Sequence, residues 1–260
     1  MKVYALSDLH TDYPQNLDWV RTLDPVQYGQ DLLILAGDVS ADLNTLGETL
    51  GLLQARFREV FFVPGNHELW VVGSEMDCSL KKYHAVQALC GDLLVRTSPW
   101  QCSGLSIVPL LGWYDFSFGQ PCRLLRRAWR DFRACRWPDK LADEKSLTDY
   151  FLGCNESRLD AVANTVANTV ISFSHFLPTL AVMPQRIPAK KRQVYPVLGS
   201  VRLGEQLSRL KPDIHVYGHS HVNQSITLGD TRYINNAFAY PTEGNISRKG
   251  LHCIWEQGGK

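Results

Sequence analysis

Seven polar side chains follow short apolar segments of the sequence, and their types are those that bind metal ions. Asp8 and His10 are two positions apart after the first apolar run, and His219 and His221 repeat this spacing later. Because side chains at i and i+2 of an extended backbone point the same way, Asp8 and His10 are both able to reach one ion. The other three candidates, each at the end of a further apolar segment, are Asp38, Asn66 and His175.

The chemistry of this ligand set is that of a reactive metal centre. Imidazole, carboxylate and amide oxygen without thiolate suit Mn, Fe, Zn or Co better than a structural zinc site. A single carboxylate, Asp38, is able to bridge two ions. Two ions about 3.5–4 Å apart lower the pKa of a bridging water and hold both oxygens of an in-line displacement. We therefore expect two divalent or trivalent ions, with Mn favoured, and phosphoester hydrolysis.

The elements that position these residues are short apolar runs alternating with stretches of helical period, which predicts an α/β domain. Buried strands are expected over residues 3–6, 32–36, 60–63, 105–111, 170–173 and 214–217. An antiparallel meander is expected over residues 223–228, 233–235 and 251–255. In open α/β sheets ligands bind outside the carboxyl ends of the strands, and every candidate ligand falls at such an end.

Several motifs together resemble the calcineurin-like metallophosphoesterase family, in order and approximate spacing, from residue 6 to about residue 221. They are Asp8 with His10, Gly37 with Asp38, the run Gly65-Asn66-His67-Glu68, His175, and Gly218-His219 with His221. The resemblance implies a four-layer α/β/β/α sandwich with a dinuclear site at the strand ends. It implies that one ion is held by Asp8, His10, Asp38 and His221. It implies that the other is held by Asp38, Asn66, His175 and His219.

The resemblance also assigns a catalytic role to His67. This residue is similar to the family's histidine that contacts the phosphate and protonates the leaving oxygen, while a metal-bound hydroxide is the nucleophile. The sequence departs from the family members that dephosphorylate proteins, which carry an acid three residues after the bridging Asp and then Arg-Gly. Ala41 and Asp42 stand there instead, which argues against a protein phosphatase. Asp42 and Glu68 are the local candidates for a carboxylate that orients His67.

An arginine-rich segment, residues 121–140, interrupts this pattern between two predicted strands. We interpret it as part of a helical insertion or lid at about 113–160, within a single metallophosphoesterase domain spanning residues 1–260. Its arginines recur at three- and four-residue intervals, which lines up one helix face. That face is either solvated, with arginine stems covering apolar surface, or a lid in which Arg126 and Arg130 bind phosphate oxygens.

Aromatic residues near this segment leave two interpretations open. Trp129 or Trp137 would stack on a base if the segment is a lid. Trp113 and Tyr114 follow a predicted core strand, so they either pack in the core or form a pocket wall near the metals. The candidate substrate-binding residues are therefore Trp113, Tyr114, Arg126 and Arg130.

Composition limits the remaining possibilities. The formal net charge is +1 over 260 residues, so nucleic acid would need a local basic patch, and a small phosphorylated substrate is the expected partner. No signal peptide or apolar run long enough to span a membrane is visible. The seven irregularly spaced cysteines favour reduced thiols and a cytoplasmic protein. The alternatives are a non-catalytic interaction scaffold of the same fold and a nuclease.

Overall fold

The computed structural model describes residues 1–163 and 167–258, with strands β1–β10 and helices α1–α8 numbered along the chain. The first of its two sheets consists of β1 (Lys2–Leu6), β2 (Leu32–Leu35), β3 (Glu59–Phe62) and β10 (His252–Glu256). The strands lie in the order β10-β1-β2-β3. The middle strands β1 and β2 are parallel, as are β2 and β3, whereas β10 runs antiparallel to β1.

The second sheet has six strands. They are β4 (Trp100–Cys102), β5 (Leu105–Pro109), β6 (Thr169–Ser174), β7 (Ile214–Tyr217), β8 (Gln224–Leu228) and β9 (Thr231–Asn235). Their order is β4-β5-β6-β7-β9-β8, with parallel pairing from β5 through β9 and an antiparallel strand at each edge. The predicted meander is wrong at its last strand, because β10 leaves the β8–β9 hairpin and pairs with β1 in the other sheet.

Eight α-helices surround the sheets in the described part of the chain. They are α1 (Pro14–Thr22), α2 (Pro25–Tyr28), α3 (Leu43–Gln54), α4 (Ser79–Asp92), α5 (Arg123–Ala128), α6 (Asp131–Ala134), α7 (Glu144–Ala163) and α8 (Val201–Leu210). Short 3₁₀ segments cover His67–Leu69, Asp139–Leu141, Leu180–Val182, Ala189–Val197 and Pro241–Glu243. None of the helices described is long and apolar enough to cross a bilayer.

Burial of apolar faces explains the layering. Val20 of α1, Leu50 of α3 and Val86 of α4 form one cluster with Leu33 and Leu35 on the outer face of the first sheet. These residues are all fully buried, and such burial is worth about 1.5–3 kcal/mol for each large aliphatic side chain. Helix α7 packs against β5 and α8 on the other side of the molecule.

The two sheets face each other across a second apolar cluster. Val3 and Ile34 of the first sheet share it with Ile171 and Val216 of the second, and all four side chains are fully buried. The order of layers is therefore helix, sheet, sheet, helix, and the predicted four-layer α/β/β/α sandwich is confirmed.

The arginine-rich segment lies between β5 and β6, but it does not form one continuous helix. Helix α5 ends at Ala128, and Trp129 takes up an extended backbone with ψ 122° before α6 begins at Asp131. The prediction of a single helical arginine face is wrong, because the helical period continues in the sequence while the backbone breaks. The break turns the Trp129 indole towards the Asp131 carboxylate, to which its Nε1–H donates at 2.7 Å.

Candidate metal centre

The predicted ligands leave the strand ends through left-handed turns. Five of them have positive φ angles: 50° for Asp8, 45° for His10, 55° for Asp38, 67° for His219 and 55° for His221. The extended backbone that the i, i+2 spacing suggested is therefore wrong. Asp8 and His10 still converge on one group of side chains, whereas His219 and His221 belong to two different groups. A left-handed residue turns the chain sharply and costs non-glycine residues on the order of 1–2 kcal/mol, so local turns direct these side chains.

The structure brings the seven predicted ligands together around Asp38. Side-chain donor atoms lie within 4.8 Å of one another in two groups, and Asp38 belongs to both. One group is Asp8, His10, Asp38 and His221, and the other is Asp38, His175 and His219. Asn66 joins the second group, because its Oδ1 lies 3.2 Å from His175 Nε2.

The tautomers of two histidines indicate that a cation fits the second group. His175 Nδ1 donates to the Ala36 carbonyl at 2.9 Å, and His219 Nε2 donates to the Val197 carbonyl at 3.0 Å. Burial lowers the pKa of both rings, so they are neutral and their inward nitrogens carry no hydrogen. These two nitrogens face each other at 3.0 Å. Two opposed lone pairs repel each other, and a metal ion held by both would relieve the repulsion.

The first group contains a carboxylate–histidine pair of the kind that orients metal ligands. His221 Nδ1 donates to Glu243 at 2.7 Å, and His221 Nε2 lies 3.3 Å from Asp8 Oδ1. Burial opposes protonation of His221, but Asp8 and Glu243 outweigh it and raise its pKa to about 9. Burial and the neighbouring His221 lower the pKa of His10 to about 3. Glu243 was not predicted from the sequence, because a single glutamate in a short 3₁₀ turn carries no spacing signal.

The two buried aspartates complete the floor of the site, and their surroundings shift their pKa values in opposite directions. Burial opposes ionisation of Asp8, but His221 outweighs it and lowers the pKa of this carboxyl below its usual range. Burial, Glu68 and Asp8 raise the pKa of Asp38. Buried carboxylates beside neutral imidazoles are stabilised by a bound cation, so the donor set as a whole fits metal ions.

Glu68 connects the loops that carry two of these ligands. Its carboxylate is fully buried and accepts four backbone N–H groups. The donors are Gly65 at 2.6 Å, Asp38 at 3.0 Å, Val39 at 2.6 Å and Ser40 at 3.1 Å. Glu68 therefore fixes the loop after β2 against the loop after β3.

The surroundings of His67 differ from the expectation that Asp42 or Glu68 orients it. Glu68 is occupied by backbone donors, and Asp42 caps α3 by accepting from Thr45 N at 2.8 Å. The His67 ring instead stacks on Trp70, with ring centroids 3.6 Å apart, and its Nε2 lies 3.6 Å from Asp38 Oδ2. His67 is thus held by an aromatic face and by the shared aspartate.

A cavity of about 500 Å³ opens above the cluster. His10, Asn66 and His67 belong to its lining together with Asp12, Tyr13, Ala41, Trp70, Ala128, Trp129, Arg130, Asp131 and Tyr240. Tyr240 stacks on His10 with ring centroids 4.4 Å apart, so an aromatic side chain of the cavity wall contacts a predicted ligand directly. The cavity is large enough for a ligand with several groups beyond one phosphate.

The four predicted substrate-binding residues lie in different places. Arg130 lines the cavity, and its guanidinium lies 4.4 Å from the centre of the Trp70 ring. Arg126 lies outside the lining, over the Phe116 ring at 5.1 Å. Trp113 and Tyr114 are buried in the core rather than on the cavity wall, because the segment that follows β5 packs both rings against Phe176.

A family model described as calcineurin-like phosphoesterase matches residues 1–223. The chain belongs to this family. The matched segment contains all seven predicted ligands and His67, so the resemblance noted in the sequence is confirmed at the level of the family. Calcineurin-like phosphoesterases use divalent metals, and the two groups around Asp38 are residues of this chain that could hold them.

Two comparisons name a relative within the calcineurin-like phosphoesterases. The [acyl-carrier-protein] phosphodiesterase PptH of Mycobacterium tuberculosis is 34% identical over 125 residues, which are 45% of this chain and 38% of that protein. The sequence match therefore spans less than half the length of the curated relative. The crystal structure of phosphopantetheinyl hydrolase PptH from the same organism aligns with 99% of this chain and 96% of its own, with a TM-score of 0.82 and 23% identity. This structural likeness shows that the two share a fold.

Proposed function

We propose that this protein is a metal-dependent phosphodiesterase that hydrolyses a phosphodiester carried on another protein, with phosphopantetheine on an acyl carrier protein as the substrate. The observation that carries the proposal is the arrangement around Asp38, where two ligand groups share one carboxylate beside His67. We also propose Mn as the resident metal and the insertion at about 113–160 as a lid on a single domain.

The chain's own residues provide a division of labour for this reaction. Bound ions supply Lewis acidity and a water of lowered pKa. Asp8, His10 and His221 would hold one ion, Asn66, His175 and His219 the other, and Asp38 would bridge them. Because these imidazoles and carboxylates are buried, the two ion sites are rigid. Water would therefore approach the phosphorus atom from the side on which these residues lie.

His67 would act on the other side of the phosphorus. Water adds its oxygen to phosphorus and gives up one proton to solvent, the bond from phosphorus to the leaving oxygen breaks, and that oxygen takes up a proton from His67, which solvent then reprotonates. Burial lowers the pKa of His67 well below its usual value. A bound phosphodiester anion favours the protonated ring through its opposite charge, which lets His67 deliver this proton.

The choice of substrate rests on the cavity and on the relative. Tyr13, Trp70, Trp129 and Tyr240 give the walls apolar faces, and Arg130 adds a cation at the edge. Such walls suit an extended organic chain attached to a phosphate. PptH is named for action on acyl carrier protein, and the partial sequence match to it favours the same substrate class here.

The experiment uses purified Mn²⁺-loaded protein and an acyl carrier protein bearing phosphopantetheine. Intact-mass spectrometry is expected to show that the carrier loses the mass of phosphopantetheine. The Asp38→Asn variant should leave the mass of the carrier unchanged. The exposed His84 provides a matched control, because His84→Ala alters a histidine on α4, away from the cavity.

Other outcomes distinguish the alternatives. Metal-loaded protein that hydrolyses bis-p-nitrophenyl phosphate but leaves the carrier intact would remove the proposed substrate and keep the reaction class. Cleavage of single- or double-stranded nucleic acid in preference to the carrier would support a nuclease. A protein that binds no metal and cleaves none of these would be a scaffold.

A further inference from the structure

A buried carboxylate from the insertion lies directly behind the second ligand group. Asp131, the first residue of α6, is 2% exposed and accepts four hydrogen bonds from uncharged donors. The donors are Asn66 Nδ2 at 2.8 Å, Trp70 Nε1 at 2.6 Å, Trp129 Nε1 at 2.7 Å and Tyr114 OH at 3.3 Å. Burial of an ionised carboxylate is costly unless it is fully hydrogen-bonded, so this arrangement is a built site.

The first of these bonds determines which atom of Asn66 faces the cluster. A side-chain amide has one donor end and one acceptor end, and rotation by 180° exchanges them. Because Asn66 Nδ2 donates to Asp131, its Oδ1 is directed at His175 Nε2, 3.2 Å away. An anionic acceptor on the nitrogen also polarises the amide and increases the negative charge on its oxygen.

The two indole donors tie Asp131 to the rest of the centre. Trp70 carries the ring of His67 on its face at 3.6 Å, and Trp129 meets the ring of His219 edge-on at 5.7 Å. Asp131 thus accepts a hydrogen bond directly from the predicted ligand Asn66. It is connected to His67 through the Trp70 ring and to His219 through the Trp129 ring.

We propose that Asp131 is a positioning residue of the metal centre, which orients Asn66 Oδ1 towards the ion shared with Asp38, His175 and His219. The insertion is then a structural part of the metal centre as well as a cover over it. The proposal rests on the dinuclear centre of the proposed function but not on the identity of the substrate.

A merely structural role would have Asp131 fasten the insertion to the domain through its tryptophans. The two roles differ in how Asp131 and Asn66 depend on each other. In the Asn66 background, Asp131→Asn removes the anionic acceptor from the amide. In the Asn66→Asp background the same change places an amide donor beside a carboxylate ligand, so the hydrogen bond is restored with donor and acceptor exchanged.

The test is a double-mutant cycle with metal binding as its readout. Mn²⁺ affinity and stoichiometry are measured by equilibrium dialysis, and the electron paramagnetic resonance spectrum reports whether the bound ions form a coupled pair. With Asn66 present, Asp131→Asn should weaken the second ion about 10–100-fold, as loss of a partner of a metal ligand usually does. In the Asn66→Asp background, the same change should leave the affinity for the second ion unaltered or increase it.

Two controls separate positioning from folding. Tyr114→Phe removes the longest of the four bonds and leaves Asn66 untouched, so both ions should remain. Thermal unfolding of each metal-free variant shows whether it is folded before metal is added. An equal loss of affinity from Asp131→Asn in both backgrounds, or two tightly bound ions in folded Asp131→Asn, would overturn the proposal. Two ions in the wild-type protein without hydrolysis of the carrier would instead remove the proposed function alone.

Discussion

At the scale of single residues, the ligand positions combine backbone strain with compensating hydrogen bonds. Asp8, His10 and Asp38 all have positive φ. The Asp8 N–H donates to the Gly37 carbonyl at 2.9 Å, and the His10 N–H donates to the Asp38 carbonyl at 3.0 Å. These bonds join the loop after β1 to the loop after β2, so the strained conformations are held from outside. A centre that is rigid before metal arrives loses less entropy when it binds.

His67 gives a prediction at this scale that depends on the leaving group. His67→Asn removes the proposed proton donor, and loss of a general acid usually costs about 10²–10⁴-fold in turnover. The loss is expected for an alkyl diester, whose leaving oxygen needs a proton. It should be small for bis-p-nitrophenyl phosphate, whose leaving group is stable as an anion. The measurement is kcat for both esters at matched Mn²⁺ content, and equal losses for the two would contradict the assignment.

His221 gives a pH dependence whose sign follows from its raised pKa. The metal-free ring is protonated below about pH 9, so this charge stabilises the metal-free fold at low pH and the contribution disappears as the pH rises through 9. A metal ion must displace the Nε2 proton, so metal binding at pH 7 should release this proton, and metal affinity should rise with pH up to about 9.

Calorimetry of Mn²⁺ binding in buffers of different ionisation enthalpy measures that proton. Glu243→Gln removes one of the two carboxylates that raise the pKa of His221. In this variant the pKa of His221 should be lower, so proton release on Mn²⁺ binding should disappear at a lower pH than in the wild type. Wild-type binding at pH 7 without proton release would show that the ring does not carry the proton.

At the scale of secondary-structure elements, Glu68 links two strand ends through its four backbone donors. Asp38 follows β2 and Asn66 follows β3, so the relative position of the two ligands depends on this one carboxylate. Buried N–H groups without a partner are destabilising by about 1–3 kcal/mol each. This role of Glu68 was not predictable from the sequence, because its neighbours along the chain give no indication that it contacts the loop after β2.

Glu68→Ala should therefore lower the free energy of unfolding of the metal-free protein by at least about 3 kcal/mol. Denaturant-induced unfolding monitored by tryptophan fluorescence provides the measurement. Asp42→Ala is the matched control, because Asp42 only caps α3, and loss of such a cap costs about 1 kcal/mol. Similar values for the two variants would show that the loops do not depend on Glu68.

The elements and the site were predictable to different extents for physical reasons. Apolar runs locate β1, β2, β3, β6 and β7 closely, because central strands covered on both faces are mostly apolar. The pairing partner of β10 was not predictable. An alternating pattern of side chains indicates a strand with two different faces, but it does not indicate which sheet the strand joins. Asp131 and Glu243 were missed because they act through other residues, and only spatial proximity reveals them.

At the scale of the whole molecule, charge is unevenly distributed. The formal net charge is +1, but residues 121–140 contain seven cationic and two acidic side chains. Arg123, Arg126, Arg127, Arg130 and Arg133 are all exposed. The arginine ion pairs found in the described residues involve Arg21, Arg96, Arg202 and Arg209, none of which lies in this segment. A cationic surface beside a cavity attracts an anionic partner and speeds its association.

If the substrate is attached to a carrier protein, the exposed arginines should increase the rate of hydrolysis of the carrier-bound substrate but not that of a small ester. The double variant Arg123→Glu/Arg127→Glu leaves the cavity lining intact and should raise KM for the carrier about tenfold, with a smaller salt dependence than wild type. Its kcat/KM for bis-p-nitrophenyl phosphate should be unchanged.

Lys190→Glu/Lys191→Glu is the matched control for this charge reversal, because it changes the net charge equally on an exposed segment outside the cavity lining. Steady-state kinetics at low and physiological salt compare the three proteins. Equal effects of the two double variants would mean that only net charge matters. Contacts to nucleic-acid phosphates also weaken with salt, so salt dependence alone does not distinguish a nucleic acid from an anionic protein. If the arginine variant lost only nucleic-acid cleavage activity, the arginines would be assigned to nucleic-acid binding.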